Sequence, residues 1–193
     1  MSRPRSIDRE HLLACAEEIA GTYGIAKLTF GEVGKAAGVS KATVQSVFRT
    51  REQLLESMLG RWMEQEQLRF KALAGEHPSA TEAVVAHIES TAREEPEMMR
   101  RMAAIMAALK DAPSGLAQVV DWYQSRGLNV EASTDQDKAL RTAFLAAEGA
   151  FFVRYLVGLP MSDEAWTDLF DELKDFGLHH SAHRGDSPVV TRK

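Results

Sequence analysis

Between Lys27 and Arg51 the chain carries two short helical patterns separated only by Gly38-Val39-Ser40. Helices of about two turns are too short to be stable alone in water, so each must lean on a neighbour. A connection of three residues leaves one economical arrangement, two helices crossing steeply at a tight turn. In that arrangement the second helix can enter a DNA groove while the first braces it from behind.

The flanking residues fit this reading. Thr29-x-x-Glu32 has the spacing of a capping box that opens the first of the two helices. Val33, Ala36 and Ala37 give that helix a narrow face of small residues, and Gly31 and Gly34 each cost it about 1 kcal/mol relative to alanine. Gly38 can take the positive φ of the turn, Val39 is expected to plug the space between the helices, and Ser40 caps the second. Val44, Val47 and Phe48 are expected to face inward, leaving Lys41, Ala42, Thr43, Gln45, Ser46 and Arg49 more exposed. A preceding helix is predicted from Ile7 to Tyr23, with Leu12, Cys15, Ala16, Ile19, Ala20 and Tyr23 on its apolar face. Ser6 or Asp8 can cap it and Gly24 can end it. Cys15 reads as a small core residue. Thr50-x-x-Gln53 starts a long helix through Leu54, Leu55, Met58, Leu59 and Trp62.

Charge is distributed in keeping with this head. The whole chain has 23 basic and 28 acidic residues, net −5, which disfavours nucleic-acid binding by the surface at large. Residues 1–60 nevertheless hold 8 Lys/Arg against 7 Asp/Glu, the only part whose balance suits phosphate. With one cysteine in 193 residues there is no internal disulfide, which fits a reducing cytoplasm. No run approaches the roughly 18 apolar residues of a membrane span, and the basic start, Met-Ser-Arg-Pro-Arg-Ser, leads into an amphipathic helix rather than a signal-peptide core.

Beyond residue 60 every segment reads as helix, so the fold class is all-α. Ser79-x-x-Glu82 caps a helix through His87 and Ile88 that ends before Pro96. Met98 to Leu109 forms the next, and Pro113 opens one carrying Trp122 and Tyr123. A helix from Leu140 to Leu159 is apolar nearly all round, the pattern of burial on two sides, one of them by a second copy. Pro160-Met161-Ser162 breaks it, and Ser162 caps a last helix with Trp166, Leu169, Phe170, Leu173 and Phe176. Residues 179–193 read as a disordered polar tail.

Residues 7–59 resemble the DNA-binding head of the tetracycline-repressor family. The matching residues are Thr29, Val33, Ala36, Ala37, Gly38, Val39, Ser40, Lys41, Thr43, Val44, Phe48, Arg51, Glu52 and Leu55. The chain departs from the family pattern at Gln45-Ser46-Val47, where the family has an aromatic residue and often a histidine, and at Gly34, usually alanine. The resemblance implies a head over residues 1–50 and a helical effector-binding and dimerisation domain over 51–178. It further implies a homodimer formed through the last two helices, double-stranded operator DNA as partner, and release by a small hydrophobic effector. No cofactor, metal or membrane enters that picture.

Candidate DNA contacts are Lys41 to phosphate, Thr43 at the groove, Gln45 to adenine and Ser46 beside it, with Arg51 matching a phosphate-contacting position of the family. Arg3 and Arg5 form a candidate minor-groove arm. The implied effector pocket has as candidate lining Trp62, Met102, Met106, Trp122, Tyr123, Phe144, Glu148 and Phe152, with His87 as a polar contact. Glu148 stands alone in an apolar helix, so it must meet an arginine, a ligand or solvent.

Two rival readings remain at this stage. Catalysis finds no support, since P-loop, GxGxxG, His-Glu-x-x-His and nucleophile-elbow motifs are all missing from the sequence. His179-His180-x-x-His183 has metal-ligand character but falls in the tail. A dimeric ligand-binding or interaction module that no longer reads DNA is the other alternative, motivated by Gln45-Ser46-Val47.

Overall fold

A computed structural model describes residues 8–112 and 116–179. Among these, every regular element is a helix: α1 (Arg9–Tyr23), α2 (Phe30–Ala37), α3 (Lys41–Phe48), α4 (Arg51–Ala74), α5 (Ala80–Arg93), α6 (Pro96–Leu109), α7 (Ala117–Ser125), α8 (Asp135–Phe152) and α9 (Asp163–His179). A 3₁₀ turn, Ile25–Lys27, precedes α2, and α8 runs on into a π-helical turn, Val153–Val157. None of the described helices is long and apolar enough to cross a membrane. Ser6, Pro113, His180 and His183, and the arm residues Arg3 and Arg5, lie outside the described residues.

The chain forms two compact units. The first takes the chain up to Gln65 together with Glu95–Gln118, and the second takes Glu66–Glu94 and the chain from Val119. Both α4 and α7 contribute to each.

In the first unit α1 is capped by Asp8, whose carboxylate accepts from the amides of Glu10 and His11 at 3.0 and 3.3 Å. Leu12, Leu13, Cys15, Ala16, Ile19 and Ala20 are buried, but Tyr23 is 69% exposed, one residue short of the positive-φ Gly24 where the helix has already ended. Burial raises the pKa of the Cys15 thiol, with Glu18 adding to it, so the cysteine is a core filler. Arg101 of α6 packs over Gly21 of α1, which is how α6 joins this unit.

The turn between α2 and α3 is tighter than the sequence alone conveys. Thr29 Oγ1 accepts from Glu32 at 3.2 Å and opens α2; Gly38 takes the left-handed conformation at φ 69°; Ser40 Oγ accepts from Thr43 at 3.0 Å and opens α3. The amide of Val39 donates to Gly34 O at 2.8 Å, which draws the turn down onto α2. Val33 and Gly34 are therefore the buried pair of α2, while Ala36 is exposed. Val39 does not plug the interior: it stands 37% exposed, because the close approach leaves no side-chain volume to fill. Val44 and Phe48 are buried and Val47 is half-buried.

In the second unit α5, α8 and α9 pack mutually. The Ser79–Glu82 capping box is closed in both directions at the start of α5. The Trp166 indole donates to Ala92 O at 3.1 Å and ties α9 to the end of α5. Thr134 caps α8, which begins at Asp135 rather than Leu140: its first turn is polar, so the apolar pattern starts late. Ser162 caps α9 as expected, accepting from Ala165 at 3.1 Å.

Two glycines of one helix give opposite expectations. A Cβ on Gly34 would lie 2.9 Å from the carbonyl oxygen of Val39, backbone that cannot step aside, whereas on Gly31 it would meet only Thr29 Oγ1 at 3.8 Å. Gly34→Ala should lower stability by about 1–2 kcal/mol, the overpacking outweighing the gain in helix propensity. Gly31→Ala should raise stability by up to about 1 kcal/mol. Thermal unfolding of the two variants checks both signs.

Candidate functional sites

The exposed side of α3 holds the residues that the sequence assigned to DNA. Lys41 and Gln45 are exposed, and neither makes a side-chain hydrogen bond among the described residues. The other two hydroxyl candidates are partly engaged. Thr43 Oγ1 shares a 2.8 Å hydrogen bond with Ser40 Oγ, and Ser46 Oγ donates back to Thr43 O at 2.7 Å. Those bonds fix the rotamers while leaving acceptor capacity outward.

Arg51 occupies a different position from its neighbours. Its Nη2 donates to Ile25 O at 2.8 Å and its Nε to Leu28 O at 3.3 Å. The guanidinium thus fastens the start of α4 to the connection between α1 and α2, adding a second donor to Ile25 O, which the Leu28 amide already reaches, and supplying one to Leu28 O. At the far end of α3, Arg49 adopts φ 50° and ψ −55°, and the amide of Thr50 donates to Phe48 O across it, a γ-turn of the strained hand. Arg49 is the one non-glycine with positive φ among the described residues, and its side chain is exposed.

The second unit gathers His87, Trp122, Tyr123, Phe144 and Glu148 into one cluster, in which His87 and Phe144 are buried and the other three half-buried. His87 stacks on Phe144, centroids 4.1 Å apart and planes 10° apart, with Trp122 edge-on at 5.5 Å. Its Nε2 donates to Glu148 Oε1 at 2.8 Å, and Tyr123 Oη donates to Glu148 Oε2. Glu148 therefore meets a histidine and a phenol, one for each oxygen, rather than an arginine, and keeps 13% of its side chain exposed. Burial, then the adjacent Glu148 carboxylate, pushes the Tyr123 pKa well above the usual phenol range, so it remains a donor. Phe152 sits elsewhere, against Phe151 at 4.9 Å. Trp62, Met102 and Met106 are buried members of the first unit.

Sequence reasoning missed the most unusual residue of this cluster. Arg126 follows α7 in a turn closed by Gly127, whose φ of 86° and close contact with Ala83 and Val84 press the turn against α5. Its side chain is 0% exposed and its guanidinium lies between two aromatic faces, 4.0 Å from the Phe70 centroid and 4.4 Å from that of Trp122. None of its Nε, Nη1 and Nη2 has a hydrogen-bond partner, and the Glu66 carboxylate stands 4.0 Å away. Glu66 is itself held by Arg69 at 2.6 Å, and Arg69 also pairs with Glu94. Burial pulls the Arg126 pKa down to about 10, with Glu66 opposing, so the group is a cation at neutral pH. In the sequence, a cation beside a glycine stop reads as an ordinary last-turn charge. Only the spacing Glu66, Arg69, Phe70 on α4 hinted at a polar interior there. His87 Nδ1 is a second buried polar atom without a partner, and it borders the same Trp122 ring.

Two family models match the chain: bacterial regulatory proteins of the tetR family over residues 12–58, and the tetracyclin repressor-like C-terminal domain over residues 81–176. Among solved structures it is similar to a transcriptional regulator from Rhodococcus sp. Rha1, 19% identical, with a TM-score of 0.67 over 88% of this chain and 95% of that one. It is also similar to the fatty acid degradation regulator FadR from Bacillus halodurans, 14% identical, TM-score 0.63, covering 91% and 97%. The multidrug binding protein EbrR, complexed with imidazole, is 20% identical with a TM-score of 0.61, covering 86% and 93%. At these identities the likeness concerns the fold. No curated protein matches the chain in sequence.

The anchoring of Arg51 yields a prediction. Arg51→Leu removes the donor to Leu28 O and one of the two donors to Ile25 O, and should cost about 1–3 kcal/mol of stability, read by thermal unfolding. The same variant tested on DNA separates its two assignments. A fall of about one unit in the salt slope would mark a phosphate contact, and an unchanged slope a purely positioning role.

Proposed function

This chain belongs to the tetracycline-repressor family of DNA-binding transcriptional regulators, and from that membership we propose a cytoplasmic, effector-released repressor that binds a palindromic operator as a homodimer. The carrying observation is the outer face of α3, where Lys41 and Gln45 are exposed with no side-chain partner among the described residues, on a helix held by Ser40, Thr43 and Ser46. Lys41 sits at the N-terminus of α3, where its charge and the free amides both favour a phosphate. Gln45, one turn on, has the amide needed for a paired contact with adenine. Arg49 adds a cation at the far end of the same helix.

The dimer reading rests on an apolar stripe left exposed. Leu145, Val153 and Leu156 are exposed along α8 and its π-helical extension, Gly149 between them has nothing over its Cα, and Phe176 is exposed on α9. A second copy related by a twofold axis would bury this stripe and set two α3 helices about 34–36 Å apart, one turn of DNA. An effector held in the helical region would favour a dimer whose heads no longer match that spacing. A differential of about 1–3 kcal/mol suffices, and operator DNA must weaken effector binding by the same factor.

Fluorescence anisotropy with DNA from the promoter of the protein's own gene tests the first half. Lys41→Ala should weaken binding alike on all sequences and lower the salt slope by about one unit. Gln45→Ala should relax preference at one base pair by about 1–3 kcal/mol. Parental affinity and slope in both variants would leave the helical bundle as a ligand-binding module that does not read DNA.

Sedimentation tests the second half. Leu145→Glu should convert a dimer into a species near the 21.4 kDa of one chain and take operator affinity with it. A dimer that survives this change would place the interface elsewhere.

A further inference from the structure

We infer that Arg126 is the anion-binding group of an effector site in the helical region, and that its ligand is an apolar monocarboxylic acid. The inference deepens the effector reading above and rests on it for its consequence at DNA, though not for binding itself. A guanidinium has five N–H donors, and here the nitrogens that carry them are buried with no hydrogen-bond acceptor among the described residues. The Glu66 carboxylate at 4.0 Å balances the charge but is too far to accept a hydrogen bond, and buried donors left without acceptors are costly. The faces of Phe70 and Trp122 offset part of that cost through cation–π contact, but rings supply nothing in the guanidinium plane, where the donors lie.

The unmet demand identifies the ligand. Glu148 has both oxygens occupied by His87 and Tyr123, and Glu66 and Glu94 are engaged by Arg69. The carboxylates thus have partners already, which argues against a cationic ligand. One cation lacks a hydrogen-bonding partner, which calls for one negative charge rather than the two of a phosphate monoester. A planar carboxylate matches the planar fork in two parallel hydrogen bonds and fits between two rings as a tetrahedral anion does not. Phe70, Trp122 and Phe144 then require that the rest of the ligand be apolar. His87, whose ring meets the same indole edge-on, also has a buried Nδ1 without a hydrogen-bond partner among the described residues.

The test uses the full-length protein and matched probes: octanoate, 1-octanol and octylamine, then 4-phenylbutyrate and 4-phenylbutanol. Binding is followed by tryptophan fluorescence, since Trp122 lies against the guanidinium, and by thermal unfolding. The carboxylates should bind at least about ten-fold more tightly than the alcohols, as expected for a charge-assisted bidentate pair. Arg126→Met should reduce that preference to less than about two-fold while alcohol binding stays as it was, and Arg126→Lys should fall between. Without ligand, Arg126→Met should melt at least as high as the parent, because an apolar chain of similar volume replaces a buried cation without hydrogen bonds, and Glu66 keeps Arg69 as its partner.

Equal binding of acid and alcohol, preference for the amine, or no binding of any probe would overturn the site. So would a ligand-free Arg126→Met that melts several degrees lower with its carboxylate preference intact, which would make Arg126 a structural partner of Glu66. Operator affinity measured with and without octanoate separates this site from the effector reading. Binding through Arg126 with no change at DNA leaves the site standing and overturns its role as effector site. Release by a neutral compound, unaffected in Arg126→Met, does the reverse.

Discussion

The hydrogen bond from Val39 to Gly34 O, with the bare Cα of Gly34 beneath it, is the contact on which the head depends. Eight residues make barely two turns, and neither α2 nor α3 could hold its shape in isolation. The turn fastens one to the other at a separation that excludes even a methyl group. Thr29, Ser40 and Arg51 then close the ends, each satisfying backbone groups that short helices leave open. Only with the interior so determined can the outer face of α3 be left to polar residues that do nothing for stability. Lys41 and Gln45 are such residues.

The second unit follows the opposite logic, placing polar groups inside an apolar bundle. His87, Tyr123 and Glu148 satisfy one another almost completely, at the junction of α5, α7 and α8. Such a network fixes one packing of the aromatic side chains around it, since any other would strand a carboxylate. Arg126 belongs to the same neighbourhood but not to the same balance. Glu148 has a donor for each oxygen, whereas the guanidinium donors of Arg126 have no acceptor among the described residues.

Much of this was legible in the residues. Asp8, Thr29, Ser40, Ser79 and Ser162 all cap the helices they were expected to cap, because a short polar side chain before an apolar run has few other uses. Lys41 and Gln45 were assignable because α3 is short enough for one buried stripe to define its opposite face. Val39 and Ala36 were misjudged for one reason: periodicity treats a small apolar residue as core, whereas the proximity of the turn to Gly34 leaves no interior for them to enter. Glu148 was recognised as needing a partner, but the partner came from residues 61 and 25 positions away, which no local pattern encodes. Arg126 was invisible for a related cause, since its burial arises from Gly127 pressing against α5 and not from any feature of its own segment.

The γ-turn at Arg49 has an implication for how the head ages in evolution and moves in solution. An arginine in that conformation forgoes about 1–2 kcal/mol that glycine would not. The chain therefore keeps a positive side chain at a spot where backbone energetics would select against one, and mutational drift toward glycine or asparagine there is downhill for folding. Loosening the junction of α3 and α4 would recover that strain, offsetting part of the cost of the hydrogen bond it breaks.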